Sequence, residues 1–178
     1  MKFGKSQKSF LAAFKKQLSN WDDDFFILTG DAGTGKTELI KECTRICESK
    51  NIDTQTLAFT GRAASVLRDR EIGSSRTIAS WLTGLGKNQI FSSEEFVIFI
   101  DEASMISNSA IIFEDKAPEL DFLLDEIIWA SIKHTAYKKI LFVFVGDANQ
   151  LPPLKHELCP ALDSKYLKIR YSLRNTIR

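Results

Sequence analysis

Apolar positions along the chain fall into two kinds of run, one spaced at three and four and one continuous. Phe10, Leu11, Phe14 and Leu18 share a helical face, with Lys5, Lys8, Lys15 and Lys16 largely elsewhere, and predict a helix over residues 6–18. Residues 25–28, Phe-Phe-Ile-Leu, follow an acidic turn and read as a buried parallel strand. Leu39, Ile40, Cys43, Ile46 and Cys47 return to helical spacing. A strand is expected over 54–59, a turn at 60–62, and a short helix carrying Ala63, Ala64, Val66 and Leu67. A polar turn at 73–75 precedes a further short helix over 76–82, and 84–88 reads as a loop.

The second half repeats this alternation. Residues 96–100, Phe-Val-Ile-Phe-Ile, are β-branched and aromatic without alternation, so both faces of that strand should be buried. A polar turn over 104–109 and a small insertion over 111–116 follow. Pro118 suits the first turn of a helix through about residue 132, with Leu120, Phe122, Leu123, Ile127 and Ile128 apolar. Residues 140–145 form another fully buried strand, after which Pro152 and Pro153 impose extended backbone. Pro160 starts a last helix, and residues 166–169 are either its end or a final strand. Strands alternating with helices predict one α/β domain, without an internal repeat or a domain boundary.

Composition changes this picture little. A length of 178 residues suits a single domain with a sizeable core, and a net charge of +1 leaves no global basic field. Any nucleic-acid contact must therefore come from a local patch. No apolar run is long enough to span a bilayer, and residues 1–6 lack the apolar core of a signal peptide, so a cytoplasmic protein without a membrane partner is expected. Cys43 and Cys47 lie one helical turn apart but far in sequence from His134 and His156, and read as small hydrophobes rather than zinc ligands. No disulfide is expected in that compartment.

The chemistry concentrates in residues 30–37, Gly-Asp-Ala-Gly-Thr-Gly-Lys-Thr. The spacing is that of a phosphate-binding loop between a strand and a helix. Glycines allow positive φ and a close backbone approach, so that amide N–H groups face an anion at a helix N-terminus. Gly30, Ala32, Gly33, Thr34, Gly35, Lys36 and Thr37 are thus candidate nucleotide-binding residues. Lys36 would reach the β- and γ-phosphates and the Thr37 hydroxyl would ligate Mg²⁺. Asp101 and Glu102 end the strand over 96–100; two carboxylates at the tip of a buried strand are costly unless used. Asp101 would hold Mg²⁺, mostly through water, and Glu102 would polarise an attacking water. Gln150 ends the other core strand's polar cluster, and Thr60 and Arg62 fall on the same carboxyl edge. Gln7, taken alone, reads as a solvated polar residue.

Five stretches occur in order: 30–37, Phe-Thr-Gly-Arg-Ala-Ala at 59–64, Thr-Ile-Ala-Ser at 77–80, Asp-Glu-Ala-Ser-Met at 101–105, and Val-Gly-Asp-Ala-Asn-Gln-Leu-Pro-Pro at 145–153. Together they resemble the first motor domain of a superfamily 1 DNA helicase, in the group that contains the exonuclease V alpha subunit and its 5′-to-3′ relatives. The resemblance implies a RecA-like fold, with a central parallel sheet and helices on both faces. It further implies ATP and Mg²⁺ as cofactors, Gln7 as reader of adenine, and Gln150 as sensor of the γ-phosphate. Thr60, Gly61 and Arg62 would grip single-stranded DNA, with Thr77 and Ser80 in a second contact. The group usually has His where Ala79 stands, and its ATP lies between this domain and a second RecA-like domain. Arg174 is a candidate for the arginine that completes such a site, although the strand expected before it is poorly formed. The expectation is a fragment or isolated lobe that binds Mg·ATP, hydrolyses it slowly and unwinds nothing. A phosphate-loop kinase and a nucleotide-dependent binding module are the competing classes. A kinase would need an Arg-rich lid that the chain does not display, and Asp-Glu favours water as acceptor.

Overall fold

Two continuous apolar runs make the middle of a parallel sheet, and everything else is hung from them. The computed structural model describes residues 3–84, 94–106, 123–134, 139–151, 159–165 and 167. Helix α1 spans Lys5–Asn20, strand β1 Phe25–Thr29, helix α2 Lys36–Glu48, strand β2 Asp53–Ala58 and helix α3 Gly61–Asp69. Strand β3 spans Ser75–Thr77, α4 Ile78–Gly84, β4 Glu95–Asp101, α5 Leu123–His134 and β5 Lys139–Gly146. Short 3-10 turns cover Ala103–Met105 and Pro160–Leu162.

The strands form one sheet in the order β1-β5-β4-β2-β3, with every pairing parallel. Parallel strands joined by crossover helices require cover on both faces, and this sheet has it. Along β4, Val97 and Phe99 join the cluster built with α1, α2 and α3, where Phe14, Ile40, Cys47 and Leu67 are buried. Ile98 and Ile100 of the same strand, with Phe142 and Phe144 of β5, face Trp81 of α4 and Ile127 and Ile128 of α5. Alternation along the strand thus remains, but both sets are apolar, which is why the sequence shows a continuous run. The fold is α/β with helices on both faces of a parallel sheet, as expected.

Local departures have simple causes. Strand β1 is half-buried rather than fully buried, since it lies at the sheet's edge among the described residues and pairs only with β5. Residues 75–77 form a strand, not the start of a helix: Ser75, Arg76 and Thr77 pair with Thr56, Leu57 and Ala58. Tertiary pairing there overrides a sequence without strand periodicity. Leu167 has helical backbone and is buried. Residues 107–109 of the turn expected at 104–109, the insertion expected at 111–116, Pro118, Pro152, Pro153 and Arg174 lie outside the described residues.

Phe14 ties the first layer to the sheet. It is fully buried, with its ring centroid 6.0 Å from that of Phe99 and 6.3 Å from that of Phe26. Phe14→Ala removes a large core side chain and should cost about 3–5 kcal/mol of stability in chemical denaturation. A loss under about 1 kcal/mol would mean that α1 does not anchor this layer.

Candidate active site

Because all five strands run the same way, their carboxyl ends share one edge. Thr29 pairs with Gly146, and Ala58 pairs with both Asp101 and Thr77. The segments after β1, β5, β4, β2 and β3 therefore open onto that edge, where an open α/β sheet places its ligands.

The loop between β1 and α2 has the conformation its glycines permit. Gly33 and Gly35 take φ of 78° and 81°. A Cβ on Gly35 would lie 2.8 Å from Gln7 Nε2, and one on Gly30 would lie 2.8 Å from Thr34 Oγ1. At Gly33 the same Cβ meets nothing within 4 Å, so that face is open. The Lys36 ammonium folds back over the loop and donates to the carbonyls of Gly30 at 2.5 Å and Asp31 at 2.9 Å. An ammonium beside exposed amides, at the start of a thirteen-residue helix, is suited to a polyphosphate.

The strand tips facing this loop are acidic. Asp101 accepts from the Glu102 N–H at 3.0 Å, and its carboxyl is raised by burial, against the pull of that hydrogen bond, Lys36 and Arg70. The Lys36 charge acts in the same direction on Asp101 as the Glu102 N–H, both opposing the effect of burial. Glu102 has φ of 55°, a left-handed conformation disfavoured for a residue with a side chain. Its carboxyl is raised by burial and by Asp101, and its Oε2 is buried without a hydrogen-bond partner among the described residues. No group of three or more His, Cys, Asp or Glu that could hold a metal occurs among the described residues. One or two carboxylates plus a hydroxyl suit Mg²⁺, which usually completes its shell with phosphate oxygens and water. Thr37 and Asp101 are residue types that such a shell takes, and an open, cationic loop is of the kind that suits a polyphosphate.

The remaining candidates divide. Gln7 meets the loop: its Nε2 donates to the Thr34 carbonyl at 3.1 Å, while its Oε1 accepts from the Gly4 N–H at 2.8 Å. Both ends of the amide therefore support the loop and the start of α1. Gln150 is exposed at the β5 end, and its Oε1 accepts from the buried Ser104 hydroxyl at 2.7 Å. The Thr60 hydroxyl caps α3 by accepting from the Ala63 N–H at 3.1 Å. Thr77 accepts from the Ser80 N–H at 3.1 Å, and the Ser80 hydroxyl donates to the Thr77 carbonyl. Thr60, Gly61, Arg62 and Ser80 are exposed, farther along the edge than the loop and its acids. Cys43 and Cys47 are buried on α2; burial pushes Cys47 up to about 12 and raises Cys43 further, so both stay as thiols.

Sequence reasoning did not single out Asp31, Asn149 or Ser104. Asn149 Nδ2 donates to Asp31 Oδ1 at 2.9 Å, and the Gly30 N–H donates to the Gly146 carbonyl at 3.2 Å. These bonds fasten the loop after β1 to the turn after β5. Both partners lie within stretches that were recognised, but a pairing across 118 positions leaves no local signal.

A family model described as an AAA domain matches residues 5–112, more than half of the chain. The chain belongs to the AAA domain family. Its sequence is also 28% identical over 134 residues to an uncharacterised protein of Methanocaldococcus jannaschii, covering 72% of this chain and 11% of that protein. It is 27% identical over 129 residues to the conjugal transfer protein TraA of Rhizobium radiobacter, covering 72% and 10%. The chain thus spans about a tenth of the length of these relatives. Among solved structures, the Pif1 helicase from Candida albicans superposes with a TM-score of 0.56 at 23% identity, over 93% of this chain and 37% of that one. The AAA domain family fold seen here is therefore the RecA-like one of that helicase.

Asp101 carries a testable charge. A carboxyl raised in the folded state binds its proton more tightly there than in the unfolded chain, so its ionisation at neutral pH opposes folding. Without nucleotide, Asp101→Asn should melt at the same or a higher temperature than wild type at pH 7. Any advantage should vanish as the pH falls into the carboxyl range. A lower melting temperature at pH 7 would show that attraction to Lys36 outweighs the burial cost.

Proposed function

We propose that this chain is the ATP-hydrolysing motor lobe of a DNA helicase that acts on single-stranded DNA together with a second RecA-like domain. The observation that supports this reading is that Lys36, Asp101, Glu102 and Gln150 follow or end strands at the carboxyl edge of one parallel sheet, where hydrogen bonds tie the phosphate loop to the turn after β5. Membership in the AAA domain family and likeness to a helicase fold support it.

Bound Mg·ATP supplies the electrophilic phosphorus and a metal that draws charge off the phosphates. The chain's own residues do the rest. Amides of residues 33–37 cradle the phosphates, and Lys36 exchanges its carbonyl partners for phosphate oxygens. Asp101 and the Thr37 hydroxyl would hold the metal. Glu102 orients a water and accepts its proton, a role suited to a carboxylate with a buried oxygen lacking a partner. Gln7 reads adenine if its amide exchanges the Gly4 or Thr34 bond for the base edge. The exposed start of α3, with Thr60, Gly61 and Arg62, and the half-buried Thr77 with the exposed Ser80 of α4 form the grip on the DNA backbone. As an isolated lobe in the cytoplasm or in solution, the chain binds nucleotide and turns it over slowly.

Lys36→Ala should weaken ATP binding by roughly 10–100-fold in a calorimetric titration, the worth of a charge-assisted contact. Retained affinity would remove the loop from the site. In the complete motor, Glu102→Gln should bind ATP normally and lose DNA-stimulated turnover. In wild type, the acid limb of the rate profile should lie above the ordinary glutamate range of about 4.3, because Glu102 must be ionised and its carboxyl is raised. An acid limb at or below that value, or turnover unchanged in Glu102→Gln, would place the base elsewhere.

A further inference from the structure

Ser104 is buried in the 3-10 turn after the acid pair, while Gln150 sits exposed at the end of β5. The two meet through a 2.7 Å bond from the serine hydroxyl to Gln150 Oε1. A buried hydroxyl needs an acceptor for its proton, so this contact fixes which end of the glutamine amide faces inward. With Oε1 held by Ser104, Nε2 is the end turned away from the turn. The same β5 segment is pinned on its other side. Asn149 Nδ2 reaches Asp31 of the phosphate loop at 2.9 Å, the Asn149 N–H donates to Asp147 Oδ1 at 2.9 Å, and the Gln150 N–H donates to the Asp147 carbonyl at 3.2 Å. At its root the turn is packed closely against the Ser104 segment, since a Cβ on Gly146 would lie 2.9 Å from Leu162 Cδ1 and 3.1 Å from the Ser104 nitrogen.

We propose that Ser104 is a positioning residue that selects the orientation of the Gln150 amide, so that its N–H₂ end is presented to the terminal phosphate and the site tells a triphosphate from a diphosphate. The inference rests on the nucleotide reading above and goes beyond it by assigning the discrimination to a side chain that does not touch the ligand. Without the hydroxyl, the exposed side chain is released into its full set of rotamers, of which roughly one in ten presents a donor to the anion. Asp31 and Asn149 keep the turn close enough to the loop for that orientation to matter.

The test is a titration of this chain with Mg²⁺ and either ADP or a slowly hydrolysed ATP analogue, reading the ratio of the two affinities. Wild type should favour the triphosphate. Ser104→Ala should lose about tenfold of that preference, with ADP affinity within twofold of wild type. Ser104→Thr, which keeps the hydroxyl, should retain most of it. Gln150→Glu still accepts from Ser104 but offers no donor, and should lose the preference even where Ser104→Ala proves too unstable to titrate. An unchanged ratio in Ser104→Ala or in Gln150→Glu overturns the inference and leaves the nucleotide site standing. A wild-type chain that binds neither nucleotide overturns both.

Discussion

The structure depends on a balance of charge at one end of a sheet. An ammonium on the loop after β1 and a carboxylate pair at the tip of β4 stand in the same partly buried neighbourhood. Neither is neutralised by a direct ion pair at the distances seen among the described residues. Lys36 spends its donors on loop carbonyls, and Asp101 and Glu102 carry raised carboxyls. Such an arrangement opposes folding, and under the proposed reading a metal-bound polyphosphate between the two would relieve it. The left-handed φ of Glu102 adds nothing specific to this pattern, since Trp21, Asn51 and Glu71 adopt the same conformation elsewhere in the fold.

The sheet makes this tolerable. Parallel pairing aligns five strand ends, and two apolar clusters hold the sheet from opposite faces. Each fully buried Phe, Ile or Leu contributes about 1.5–3 kcal/mol on removal from water, which offsets an edge built for binding. Cross-links between strand ends then set the finer geometry. Asn149 to Asp31 and Ser104 to Gln150 join the phosphate loop, the turn after β5 and the turn after β4.

Legibility in the sequence followed physical strength. The runs at β4 and β5 could be read because burial on both faces leaves no polar position to confuse them. The phosphate loop could be read because positive φ demands glycine at fixed places, and Gly33 and Gly35 supply it. Strand β3 could not be read, since three residues without alternation owe their conformation to β2. The edge position of β1 was hidden for the same reason: sheet order is a property of pairings, not of one segment. At the site, Lys36 and the acid pair were visible as types in a pattern. The partners of Gln7 and Gln150 were not, because a hydrogen bond between segments far apart in sequence has no local mark.

The central claim is that phosphates lie on the amides after β1, opposite the acids after β4. Backbone amide NMR during titration with Mg·ATP addresses it residue by residue. The largest shifts are expected at Gly33, Gly35, Lys36 and Thr37, accompanied by Asp101 and Glu102. Saturable binding that leaves those amides unmoved, with shifts confined to another part of the molecule, would contradict it.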